Sequence, residues 1–124
     1  MYKFLVRQFG NLVSPWATGK YETVYTPYVW TAAKRGMLFF CSDYEEVDLL
    51  ARHYRTFVVV DDIDIEIWKI EIKEPILIKH HLPSDLGDWD KFWNKGIYLK
   101  LDGIERDGIF CAKEIKLTEF KKRV

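Results

Sequence analysis

The 124-residue sequence has two cysteines, four prolines, seven glycines and no net charge, nineteen basic residues standing against nineteen acidic ones. Each shortage excludes something. Cys41 and Cys111 are too few for a disulfide framework and each sits in an apolar stretch, so both are expected as buried free thiols in a reducing compartment. A balanced charge gives no global field for a polyanion; general DNA binding is not expected, and contact with nucleic acid or a membrane surface would need a local patch. The longest apolar runs, Gly36 to Cys41 and Phe57 to Val60, are far shorter than a signal-peptide core or a membrane span. A soluble, cytoplasmic protein without membrane contact is the expectation.

Catalytic signatures are scarce as well. No serine stands in a nucleophile elbow, neither cysteine has a local activating pattern, and His53 falls on a helix surface. Gly19-Lys20 lacks the glycine spacing of a phosphate-binding loop, and Tyr21 replaces the Ser or Thr that such a loop needs. The acidic run Asp61, Asp62, Asp64 and Glu66 offers oxygen ligands but not the glycine and distant Glu of a calcium loop, so a solvated turn is expected. His80 and His81, with Asp85 and Asp88 nearby, are adjacent on a strand and point to opposite faces, which suits an exposed strand end better than a transition-metal site. No catalytic residue, metal or cofactor is assigned from these residues.

What the chain does have is aromatic surface: five Trp, seven Tyr and eight Phe make up 16% of it. With 48% hydrophobic residues, the length fits one compact domain over residues 1–124, large enough to bury a core without a metal or disulfides.

Along the chain, Tyr2 to Gln8 alternates as a first strand, Phe4 and Val6 facing one way and Lys3, Leu5 and Arg7 the other. Gly10 to Lys20 reads as a long connecting loop around Trp16, and Tyr21 to Tyr25 as a short strand. Thr26-Pro27 with Gly36 predicts a helix over Pro27 to Arg35. Met37 to Cys41 is a buried strand, followed by a helix capped by Ser42 and Glu45 with an apolar stripe of Val47, Leu50 and Ala51, ending near Arg55. Phe57 to Val60 reads as a strand.

In Val58 to Pro75 the buried-type residues change phase, from Ile63, Ile65 and Ile67 to Trp68, Ile70 and Ile72. A turn at Asp61-Asp62, or a bulge, is expected there, with Glu66 to Lys73 as the main strand and Trp68, Ile70 and Ile72 inward. Pro75 should end or offset that strand before Ile76 to Ile78. A helix opened by Ser84 carries Leu86, Trp89 and Trp93, and strands at Ile97 to Leu101 and Ile109 to Leu117 close the chain before a solvated tail of Lys121, Lys122 and Arg123. The fold class is α+β: a mostly antiparallel sheet of about six strands with two or three short helices.

Arg7, Trp16, Lys20, Tyr21, Tyr25, Tyr28 and Trp30 gather aromatic faces and cations in the first quarter. A flat ligand bearing phosphates calls for that combination. The expected function is a non-enzymatic binding module for a small nucleotide-like ligand, with Arg7, Trp16, Lys20 and Tyr21 as its contacts. A second reading is an inhibitor or adaptor that binds a protein partner through Trp89, Phe92 and Trp93. A homodimer is a further expectation.

Four phrases in chain order, SPWATGKY, GMLFFCSDYEEV, IWKIEIKEP and GIFCAKEIKL, resemble a layout of small uncharacterised phage and prokaryotic domains. The resemblance implies a compact α+β domain encoded by a virus or mobile element, sequestering a signal molecule under the binding-module reading. The layout is also similar to the ADP-ribosyltransferase scaffold. That likeness implies a third reading, a transferase in which Arg7, Ser42 and Glu114 surround a nicotinamide dinucleotide.

Overall fold

The computed structural model describes residues 1–15, 22–34, 36, 38–57, 63–78 and 109–124. Within them the order is β1 (Tyr2–Gln8), β2 (Asn11–Val13), β3 (Val24–Tyr25), β4 (Trp30–Ala32), β5 (Leu38–Phe40), α1 (Tyr44–Phe57), β6 (Asp64–Ile78) and β7 (Ile109–Arg123). All the strand pairings among the described residues are antiparallel and join in one sheet ordered β3-β2-β1-β6-β7-β4, with β5 on β7 as well. The domain is α+β and dominated by its sheet, with α1 the single helix of the described residues rather than the two or three expected.

The sheet does not stay open. Beyond β5, Cys41 pairs with Tyr2 at the start of β1, donating and accepting backbone hydrogen bonds of 2.8 and 2.7 Å. Strands β1, β6, β7 and β5 therefore form a ring, which satisfies an edge that would otherwise expose unpaired backbone groups. Two register shifts, between Ile67 and Trp68 and between Lys69 and Ile70, leave Lys121 and Thr118 as extra residues on β7. Bulges so close together tighten the twist and bend the pair, which lets a narrow sheet curl on itself.

Each face of β6 is covered over a different stretch, and that accounts for the phase change in the strand. On the outer face, Phe4, Ile65 and Ile67 pack against Val47 and Ala51 of α1, while Val6, Val13 and Ile63 form a smaller cluster under Tyr54. On the inner face, Leu5, Leu12, Tyr25, Leu38, Phe40, Trp68, Ile70, Ala112, Ile115 and Leu117 fill the ring. The odd isoleucines and the even Trp68, Ile70 and Ile72 thus lie on opposite sides of one unbroken strand. The switch falls where the register with β7 shifts, between Ile67 and Trp68, so a bulge does accompany the phase change, carried by β7, and beyond it Lys69, Glu71 and Lys73 of the outer face are exposed. Residues Asp61 and Asp62, where the turn was expected, lie outside the described residues. The backbone does turn over further along, at Glu74, whose φ is +51°.

Several sequence expectations are corrected. Pro27 to Arg35 is not a helix. Val29 donates to the Thr26 carbonyl at 3.3 Å across a turn with Pro27 second and Tyr28 third, and β4 follows. Tyr28 has φ +67°, the left-handed backbone that the third position of a type II turn requires, so Pro27 sets up a turn that a helix start would resemble in sequence. Asn11–Val13 is a strand rather than the beginning of a loop. Pro75 does not end β6, which runs through to Ile78. Phe57 is the last residue of α1 rather than the first of a strand.

The N-cap of α1 is Asp43, not Ser42: the Asp43 carbonyl accepts from Val47 at 3.2 Å and its carboxylate accepts from the Glu45 amide at 3.4 Å. The expected stripe of Val47, Leu50 and Ala51 does face the sheet. The lysine-rich tail belongs to β7, with Lys122 3.4 Å from Asp48 of α1 and Arg123 3.9 Å from Asp64. The helix from Ser84 and the strand Ile97 to Leu101 lie outside the described residues.

The turn between β1 and β2 consists of Phe9 and Gly10, with φ of +49° and +81°. Open space surrounds the position a Gly10 side chain would take, so the φ alone makes glycine valuable there. Gly10→Ala is expected to lower stability by about 1–2 kcal/mol, the cost of a left-handed conformation for a residue with a Cβ. Urea denaturation measures it; an unchanged midpoint would refute that origin.

Candidate functional site

The first element of the site is Arg7, whose position on β1 puts it on the inner face at the end of the ring. Its Nε donates to Glu66 Oε2 at 2.5 Å, its Nη2 lies 3.4 Å from Oε1, and its Nη1 donates to the Gly10 carbonyl at 3.3 Å. Glu66, though charged, is 2% exposed, and its Oε1 also accepts from the Trp68 indole nitrogen at 3.2 Å. The hydrogen bond to Glu66 holds the guanidinium pKa above its ordinary value. Arg7 is therefore anchored as the counter-ion of a buried carboxylate, which needs both charge and hydrogen bonds to be tolerated inside.

A second polar group lies deeper. Lys3, on the same face as Leu5 and Arg7, is enclosed by the ring; its Nζ donates to the Phe39 carbonyl and stands 5.5 Å from the centre of the Tyr25 ring. Burial pushes its pKa down from 10.5 to about 8, with the nearby thiols of Cys41 and Cys111 opposing the shift. Burial also raises both thiols, Cys41 to about 11 and Cys111 further, so neither is an activated nucleophile. Burial raises the Tyr25 hydroxyl pKa, with Ser14 opposing the shift, and among the described residues this buried hydroxyl has no well-formed hydrogen bond.

The third element is on the outer face. Trp30 pairs with Lys116 across the β4–β7 ladder. Lys73 Nζ lies 4.1 Å and Lys116 Nζ 5.1 Å from the centre of the Trp30 ring. Both ammonium groups also face carboxylates, Lys73 with Glu114 at 3.9 Å and Lys116 with Glu71 at 3.3 Å. Two residues before Trp30, Tyr28 is largely exposed and meets Trp68 edge-on at 6.2 Å, while Phe120 meets the same indole at 5.7 Å.

The structure thus divides the first-quarter set. Tyr25 belongs to the core, Arg7 to an ion pair, and Tyr28 and Trp30 to the surface; Trp16, Lys20 and Tyr21 lie outside the described residues, as do Trp89, Phe92 and Trp93. The transferase constellation is not assembled. Register sets Arg7 beside Asp64 and Glu114 beside Lys73, nine residues further along β6, which is about 30 Å of extended strand. Ser42 follows the Cys41–Tyr2 bridge, at the opposite end of β1 from Arg7.

Lys3, Lys73 and Lys116 were not singled out from the sequence, and Glu66, expected with Asp64 in a solvated acidic turn, is instead buried on β6. Lys3 shared a face with Leu5 in the alternation of β1, and that was the available signal. The lysines around Trp30 required the register of β7 against β4 and β6, which no local pattern supplies.

Among the described residues, no group of three or more His, Cys, Asp or Glu side chains is placed to hold a metal ion, and no helix is long and apolar enough to cross a membrane. No protein-family model, curated protein or solved structure matches the chain.

Lys3 gives a signed pH prediction. Its folded pKa is lowered, so between about pH 8 and 10.5 the unfolded chain binds more protons than the folded one, and stability rises with pH across that window. Lys3→Met removes this dependence. The variant is expected to exceed the parent at pH 7 by on the order of 2 kcal/mol, a 1.36 kcal/mol-per-unit effect reduced by the lost hydrogen bond, with the gap closing above pH 10. Urea denaturation from pH 7 to 10.5 tests it; a constant gap would rule out titration of Lys3 as the cause.

Proposed function

We propose that the chain is a non-enzymatic binding module for a small nucleotide-like ligand. The observation that supports this most is the Trp30 ring with the Lys73 and Lys116 ammonium groups standing over it. The two ammonium groups over the ring are placed to meet phosphate oxygens, and a base stacks on the Trp30 ring where a lysine drawn to the phosphate leaves its face. The ion pairs that hold these lysines reach the surface, Lys73 being 48% and Glu71 59% exposed in their side chains. Exposed pairs contribute little, so a multiply charged phosphate competes for the lysines at small cost. Trp16, Lys20 and Tyr21 bring the same chemistry in the neighbouring sequence and remain proposed contacts; Arg7 contributes by positioning Glu66 and Trp68.

The test is a thermal-shift series with nucleoside triphosphates, cyclic dinucleotides, nicotinamide dinucleotides and the matching nucleosides, with native mass spectrometry alongside. A ligand at roughly 100 times its dissociation constant adds about 2.7 kcal/mol, which raises Tm by several degrees. The expected result is a shift with one phosphorylated class and none with its nucleoside, reduced in Trp30→Ala and in Lys73→Ala/Lys116→Ala. No shift and no retained mass with any compound would sink the proposal.

A further inference from the structure

Phe9 is 93% exposed, although a phenyl ring gains most by burial. It also occupies a backbone conformation that suits it poorly. Phe9 and Gly10 form the two-residue connection of the β1–β2 hairpin with both φ positive, an arrangement for which Asn-Gly is the favoured pair. A bulky residue kept in left-handed backbone at an exposed tip points to a role outside the monomer's own stability. Phe9 itself lines a groove of about 280 Å³, together with Asn11, Val13, Val24, Glu22 and Lys34. Its wall residue Val24 is 47% exposed.

We infer that this hairpin tip is the two-fold contact of a homodimer, the Phe9 ring of each copy seating in the groove of the other. In a contact of this symmetry one patch serves both copies, so it must be complementary to itself. This patch has that property twice. It carries an apolar knob next to a hollow with an apolar wall, and it carries one acid and one base, so a two-fold axis sets Glu22 of each copy against Lys34 of the other. A contact centred on one hairpin is small, so the dimer forms at tens of micromolar and above rather than at nanomolar concentration. The inference is independent of the nucleotide reading, since Trp30, Lys73 and Lys116 are not part of the groove.

Sedimentation velocity with the full chain, from roughly 5 to 500 µM, reads the mass directly. The parent is expected to pass from the 14.8 kDa monomer to twice that mass. Phe9→Asn removes the ring and substitutes a residue that tolerates positive φ, so it is expected to remain folded by circular dichroism and monomeric throughout. Glu22→Lys and Lys34→Glu each weaken association about tenfold or more, and the two together restore it. A parent that stays monomeric at the highest concentration overturns the inference, as does a dimer that survives Phe9→Asn or a charge-swapped pair that fails to recover.

Discussion

The ladder between β6 and β7 is the constraint on which the rest of the domain depends. Each strand is fifteen residues long, and their pairing runs from Glu66 with Arg123 to Ile78 with Ile109. Every other described strand docks on this pair directly or through β1: β1 on the free edge of β6, carrying β2 and then β3, and β4 and β5 on successive stretches of β7. The contacts are remote in sequence, so a sheet built this way closes its loops at high entropic cost. The two bulges on β7 supply the curvature that brings Cys41 round to Tyr2.

Closure explains the unusual polarity of the interior. A ring this narrow must be filled by side chains from all its strands, and β1 contributes Lys3, Leu5 and Arg7 from one face. Two of those three are cationic, and the structure accommodates them differently. Arg7 reaches the end of the ring, where Glu66 neutralises it. Among the described residues Lys3 has the Phe39 carbonyl and the Tyr25 ring but no carboxylate, and burial pushes its pKa down. Replacing Glu66 would leave the Arg7 charge without its partner and Trp68 without its acceptor, so this buried set acts as a unit.

Local signals in the sequence were legible where the physics is local. The alternation of β1, the stripe on α1 and the apolar strands around Phe40 and Ile70 follow from side-chain periodicity alone. The failures have specific causes. Pro27 carries the same information at the start of a helix as at the second position of a turn, and only the Tyr28 amide's bond to the Leu117 carbonyl, at 2.9 Å and far along the chain, decides between them. The phase change in β6 was read as a turn or a bulge, and a register shift does fall there, between Ile67 and Trp68, but that β7 carries the extra residue depends on a pairing no local pattern supplies. The site was less legible still: Trp30 was visible as an aromatic, but its lysine neighbours come from β6 and β7, and register between distant strands is not written in either segment.

Where the described aromatics end up bears on how this chain meets its surroundings. Tyr25, Phe40 and Trp68 serve the interior, and Phe4 and Tyr54 serve the helix face at a ring separation of 5.6 Å. Phe9 and Tyr28 do neither, and both hold left-handed backbone that glycine or asparagine would adopt with less strain. A core requirement explains neither the exposure nor the strain. Solubility would favour polar residues at both turns, and stability would favour glycine. The residue types present satisfy neither demand, which leaves contact with another molecule as the physical role that a large, rigid ring on an exposed turn performs better than the alternatives.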